Sequence, residues 1–164
     1  MYALLPQNRF LFLGKSELLS YPLIKTLFKH LNIPVFRKDR VKAARSYKRS
    51  VEAIHEGWGL VIFPEGGIPD ENLPEMIPFK DGAFKLAKRC NVPIVPITFL
   101  NHFHMFTDPG KILGSAHPGI SKVYFHDVIS VEQQKQLTEK ELSDLVFETL
   151  AKPLREQGFM KHKA

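Results

Sequence analysis

The sequence predicts an α/β fold with a mainly parallel central sheet flanked by helices, and three observations lead there. Short apolar runs alternate with segments of helical spacing. The runs are apolar on both faces, as strands buried between helical layers must be. A hydrophobic content of 44%, with 13 Phe in 164 residues, supplies the material for a core. Compact domains commonly run to about 100–200 residues, so a single domain over 1–164 is expected.

Each element has a local reason. Arg9 to Leu13 is a short apolar run suited to a buried strand. Lys15 to Leu31 carries Leu19, Leu23, Leu27 and Leu31 at helical spacing, with Pro22 placed to kink or split that helix. Ile33 to Phe36 returns to strand character. Val41 to Glu56 reads as a helix with Tyr47, Val51, Ile54 and Trp58 near one stripe, closed by Gly57 and Gly59. Leu60 to Phe63 is the next buried strand, and Gly82 to Cys90 a helix. The run "VPIVPITFL", Val92 to Leu100, reads as a core strand, and Val123 to Ile129 as another. Thr138 and Glu141 form a capping box ahead of a terminal helix bearing Leu142, Leu145, Val146, Leu150 and Leu154. The polar tail "KHKA" is expected to be solvated.

The net charge of +6 favours anionic partners: phosphate esters, acidic carrier proteins, anionic lipid or nucleic acid. A single cysteine, Cys90, excludes an internal disulfide framework and a cysteine-rich zinc site, and is expected to pack in its helix in a reducing compartment. Asn8, Arg9 and Pro6 interrupt what would have to be the apolar region of a signal peptide. No apolar run approaches the roughly 20 residues that a spanning helix requires.

The segment "LVIFPEGGIPD", residues 60 to 70, drives an apolar run into a proline, a carboxylate and two glycines. In parallel α/β sheets, ligands gather beyond the carboxyl ends of strands, where Glu65 falls. A carboxylate there must be hydrogen-bonded or face a polar cleft, so Glu65 either braces the loop or meets a substrate. Gly66 and Gly67 allow close approach to main-chain N–H groups, as phosphate-binding turns do; a purely structural turn explains them equally well. The acid-, Pro- and Gly-rich loop from Pro64 to Pro78 is long for a compact domain, which points to binding.

Five blocks occur in order: "GKSEL" at 14–18, "IPVFRKDR" at 33–40, "VIFPEGGIP" at 61–69, "PFKDGAFKLA" at 78–87 and "VPIVPITFLN" at 92–101. Together they resemble the glycerolipid acyltransferase family, most of all the 1-acyl-sn-glycerol-3-phosphate (lysophosphatidic acid) acyltransferases. The resemblance implies a glycerol-3-phosphate acyltransferase-like fold. It also implies transfer of a fatty acyl group from acyl-CoA or acyl carrier protein to lysophosphatidic acid, giving phosphatidic acid. Neither a cofactor nor a metal is implied. Arg37, with Arg40 as the near alternative, matches the family's phosphate-gripping arginine, whose planar fork suits phosphate oxygens. Phe63, Pro64, Glu65 and Gly66 match the family's Phe-Pro-Glu-Gly-Thr-Arg-Ser block, but Gly67 and Ile68 replace its Thr and Arg. Lys80 is placed to restore part of the missing charge, and Pro96 falls in the block associated with the acyl donor.

One block is absent. The family's general base is a histidine oriented by an aspartate five positions later, and none of the seven histidines here has an aspartate at that spacing. The opening residues resemble the stretch that normally follows the His-Asp block. Either Met1 is an internal methionine of a longer protein with the pair upstream, or the chain is a shortened relative that keeps a lipid-phosphate cleft without the chemistry.

The resemblance implies the cytoplasmic face of a membrane, reached peripherally or through an anchor outside these residues. The basic amphipathic stretch "ELLSYPLIKTLFKHLN" offers membrane contact, or a helix buried on the sheet. The alternative function is a non-catalytic module binding anionic lipid or acyl carrier protein. Nucleic acid ranks below both, because the basic residues are dispersed and no recognised signature frames them. His102 and His104, two apart on an extended segment, would share a face with the Asp108 carboxylate nearby as a metal candidate, and no G-x-S-x-G elbow marks a serine hydrolase.

Overall fold

Strands β1 (Phe10–Lys15), β2 (Asn32–Val35) and β3 (Gly59–Val61) form a parallel sheet in the order β2-β1-β3. The fold is that of a computed structural model, which describes residues 7–16, 25, 32–36, 39–67, 75–105 and 117–160. The chain divides into two compact units, Met1–Phe63 and Pro64–Ala164. No described helix is long and apolar enough to cross a membrane.

In the first unit, Leu11 and Ile33 from neighbouring strands meet Ala53, with Leu13, Trp58 and Leu60 packed around them. Pro34 sits in β2, on the sheet's edge, where a residue without an N–H is tolerated. Gly59 lies in register with Phe10, and a Cβ on it would stand 2.9 Å from the Phe10 ring, so any larger residue would force the ring to shift. The next helix, α1 (Arg40–His55), is capped by the Asp39 carboxylate, which accepts the Lys42 N–H at 3.0 Å.

Three expectations for this unit are corrected. β1 continues through Lys15, so no helix begins there; the rest of the Leu19–Leu31 stripe, with Pro22, lies outside the described residues, as does the "KHKA" tail. The buried positions of α1 are Ser50 and Ala53, while Tyr47, Val51 and Ile54 are half-buried. Small side chains let a helix backbone approach a sheet, and the Ser50 hydroxyl meets its hydrogen-bonding need by donating to the Ser46 carbonyl at 2.9 Å. β3 is short and half-buried rather than a buried strand from Leu60 to Phe63; Phe63 is 56% exposed.

The second unit is built on α2 (Gly82–Cys90), β4 (Ile97–Phe99), α3 (His102–Met105), β5 (Val123–Phe125), α4 (Val131–Lys135) and α5 (Glu139–Glu156). Its core is Phe84, Ile129, Leu142 and Val146, flanked by Phe79, Ile94, Leu137 and Leu150. The capping box forms as expected: Thr138 N–H donates to Glu141 at 2.7 Å, and Glu141 N–H to the Thr138 hydroxyl at 3.2 Å. Buried Gln134 donates to the carbonyls of Val92 and Ile129. Cys90 ends α2 half-buried, and its burial pushes the thiol pKa up.

Here too the structure departs from expectation. Pro93 and Pro96 cannot donate to a ladder, so Val92–Leu100 yields only β4 and an isolated bridge between Ile94 and Ile129. The strand expected from Val123 to Ile129 is confined to β5, and it pairs with β4 antiparallel. Leu142, Val146 and Leu154 are buried on α5, whereas Leu145 is 43% exposed at the flank of their stripe.

Thr98 in β4 is buried, donates to the Leu150 carbonyl at 3.2 Å and meets His126 Nε2 at 2.9 Å. Desolvation lowers the His126 pKa from its ordinary 6.5, Lys152 adds to the effect and Asp127 opposes it. The native state therefore favours neutral His126. Its contribution to stability is present above pH 6.5 and lost as pH falls through the depressed folded value.

Two outcomes are expected. Leu142→Ala should cost about 2–5 kcal/mol and Leu145→Ala no more than about 0.5 kcal/mol, read from urea midpoints. His126→Gln, which cannot titrate, should flatten the loss of stability between about pH 7 and pH 5 relative to the parent chain.

Candidate functional site

The turn Pro64–Gly67 and the segment Ile77–Lys80 are held together by two hydrogen bonds within the second unit. Glu65 Oε2 accepts the Ile77 N–H at 3.1 Å, and the Pro64 carbonyl accepts the Lys80 N–H at 2.9 Å. Both ends of the long loop are thereby closed. Phe79 anchors the second strip, packing on the core with its ring 6.3 Å from Phe84 and 5.0 Å from Phe147.

Gly66 stands at φ +69°, the left-handed region that favours glycine. The Lys80 side chain folds over it: a Cβ on Gly66 would lie 3.1 Å from Lys80 Cδ and 3.3 Å from Nζ. The absent side chain is what lets the ammonium rest above the turn. Lys80 is exposed and makes no ion pair among the described residues, so its charge is available to a ligand.

Glu65 is half-buried, and burial raises its pKa above the ordinary 4.5, against the opposing effect of the Ile77 N–H. Of the two roles expected for it, the structure assigns bracing to Oε2. The second carboxylate oxygen has no hydrogen bond among the described residues. The arrangement offers a cation and glycine backbone on one side and a half-desolvated carboxylate on the other, groups able to hold a phosphate and orient a hydroxyl.

Glu65, Gly66 and Lys80 are thus brought together within the second unit. Arg40 is exposed at the start of α1 in the first unit. Arg37 and Asp108 lie outside the described residues. Pro96 is buried just before β4, its carbonyl accepting the His126 N–H at 3.1 Å, which is a structural role. His102 and His104 sit on a four-residue helix rather than an extended segment. His102 bonds the Ser121 hydroxyl at 2.6 Å and packs on Phe99, while His104 packs on Phe103 and Phe159. Sequence reading missed Ile77, which acts through its backbone N–H and so leaves no side-chain signal.

The raised Glu65 pKa carries a sign. Stability from the protonated carboxyl is fully present below about pH 4.5 and lost as pH rises through the folded value. Glu65→Gln keeps an acceptor for Ile77 without that loss. Urea midpoints at about pH 4 and pH 7 should therefore fall less in Glu65→Gln than in the parent chain.

Residues 1–100, which include this turn and Lys80, match the family model described as Acyltransferase. The chloroplastic 1-acyl-sn-glycerol-3-phosphate acyltransferase BAT2 of Brassica napus is 30% identical over 110 residues, covering 66% of this chain and 29% of that protein. The chloroplastic 1-acyl-sn-glycerol-3-phosphate acyltransferase LPAT1 of Arabidopsis thaliana is 29% identical over 122 residues, covering 73% and 32%. The chain thus spans about a third of the length of these relatives. The crystal structure of the 1-acyl-sn-glycerophosphate acyltransferase PlsC from Thermotoga maritima shares the fold, with a TM-score of 0.69 at 21% identity over 93% of this chain and 58% of that one. By the match across its first 100 residues, the chain belongs to the acyltransferase family.

Proposed function

We propose that the protein acylates 1-acylglycerol-3-phosphate to phosphatidic acid in phospholipid biosynthesis, using acyl-CoA or acyl carrier protein as donor. The observation that carries this reading is the family match over residues 1–100. It is supported by relatives named for that acylation and by the cation held over a glycine turn at the family's Pro-Glu-Gly block.

In this reading the acceptor's phosphate meets the Lys80 ammonium and the open backbone of Gly66 and Gly67, a charge-assisted contact. Glu65 holds the loop in place. The acceptor hydroxyl loses its proton to a general base and attacks the thioester carbonyl; the C–S bond breaks, and the thiol leaves with the proton. The base is proposed to be a His-x-x-x-x-Asp pair supplied from outside residues 1–164. The reaction is placed at the cytoplasmic face of a membrane, where the surplus positive charge favours anionic lipid.

The test is acyl transfer from a labelled acyl thioester to lysophosphatidate, by this chain and by the protein extended upstream in its reading frame. Turnover is expected in the extended form. There, Lys80→Gln should raise KM for lysophosphatidate at least about tenfold with little change in kcat, since a hydrogen bond to a charged group is worth about 1.5–3 kcal/mol. Lysophosphatidate binding without turnover in either form would overturn the enzymatic reading in favour of a lipid- or carrier-binding module.

A further inference from the structure

Two hydrogen bonds tie the strip Ile77–Lys80 to the turn Pro64–Gly67. At half-exposed positions such bonds compete with water, so their net contribution is modest. Packing has to supply the rest, and the ring of Phe79 is half-buried against two others. Phe84 comes from α2, close by in the chain, with ring centroids 6.3 Å apart. Phe147 comes from α5, with centroids 5.0 Å apart and planes at 63°, an edge-on contact of the kind that aromatic quadrupoles favour.

Phe147 stands apart from the core stripe of its helix. Leu142 and Val146 are buried, whereas Phe147 is half-buried at the flank. Ser143 and Ala151, one turn before it and one turn after, are small and buried, so on this strip of α5 the Phe147 ring is what reaches the loop. Phe147 also lies outside residues 1–100, the stretch shared with the family model. Phe79 is the residue next to Lys80. A clamp on the Phe79 ring therefore restricts the backbone from which the Lys80 side chain departs toward Gly66.

We propose, on the reading that Lys80 meets the acceptor's phosphate, that Phe147 is a positioning residue: by clamping the Phe79 ring it holds the Lys80 ammonium over the Gly66 turn. Acting through Phe79, it governs acceptor binding and not the chemical step.

Two measurements test this. In the full chain, NMR should show cross-relaxation between the Gly66 Hα protons and the Lys80 side chain, since a Cβ in the place of one of them would lie 3.1 Å from Lys80 Cδ. Phe147→Leu, which keeps an apolar side chain without the ring, should weaken that signal at least about twofold, and Phe147→Tyr, whose half-buried position lets the hydroxyl reach solvent, should restore it. In the protein extended upstream, Phe147→Leu should raise KM for lysophosphatidate about threefold to tenfold with kcat unchanged. In a Lys80→Gln background the same substitution should add nothing, as expected of residues that act on one contact. Leu145→Ala, on the exposed flank of α5, should change neither readout. A Gly66–Lys80 signal untouched by Phe147→Leu, an equal KM effect with and without Lys80, or a fall in kcat at unchanged KM overturns the positioning role. A parent-like KM in Lys80→Gln alone counts instead against the acceptor reading of Lys80, and the NMR signal still decides whether Phe147 sets its position.

Discussion

A carboxylate taken half out of water has to be compensated, and the candidate site is organised around how Glu65 meets that requirement. Its partner is the backbone N–H of Ile77, twelve residues on, so the interaction both satisfies the acid and closes the loop. The second link, from Lys80 N–H to the Pro64 carbonyl, brings the Lys80 side chain over Gly66. Phe79, one residue earlier, is packed against the core. A charged side chain is thereby delivered to a glycine turn by a rigid neighbour, and its position does not depend on a mobile stem alone.

Close backbone approach is the recurring constraint in the first unit. Gly59 admits the Phe10 ring, and Ser50 and Ala53 are the buried positions of the helix. The Ser46 hydroxyl reaches the Pro34 carbonyl at 2.6 Å, tying α1 to the edge strand. A cavity lies beside this tie, with Pro34 and Ser46 among its lining residues. One helix therefore does two jobs: small residues face the sheet, and long basic residues turn toward an apolar wall and solvent.

In the second unit, polar groups direct the packing. Gln134 is buried because it bonds two carbonyls, and Thr98 because it bridges Leu150 and His126. Pro93 and Pro96, which carry no N–H, interrupt regular pairing between the bridge at Ile94 and β4.

Periodicity, capping and block order were enough to read the α/β class, most helices, the Thr138–Glu141 box and the family, because each is encoded within a few residues of chain. Glu65, Gly66 and Lys80 were legible as candidates for the same reason. Which of them meet was decided by tertiary structure: Ile77 acts through a backbone group that every residue but proline carries. Strand lengths and direction were also decided there. A short apolar run is compatible with a parallel core strand or an antiparallel pair, and only the hydrogen-bond partners available to β4 after its prolines selected β5.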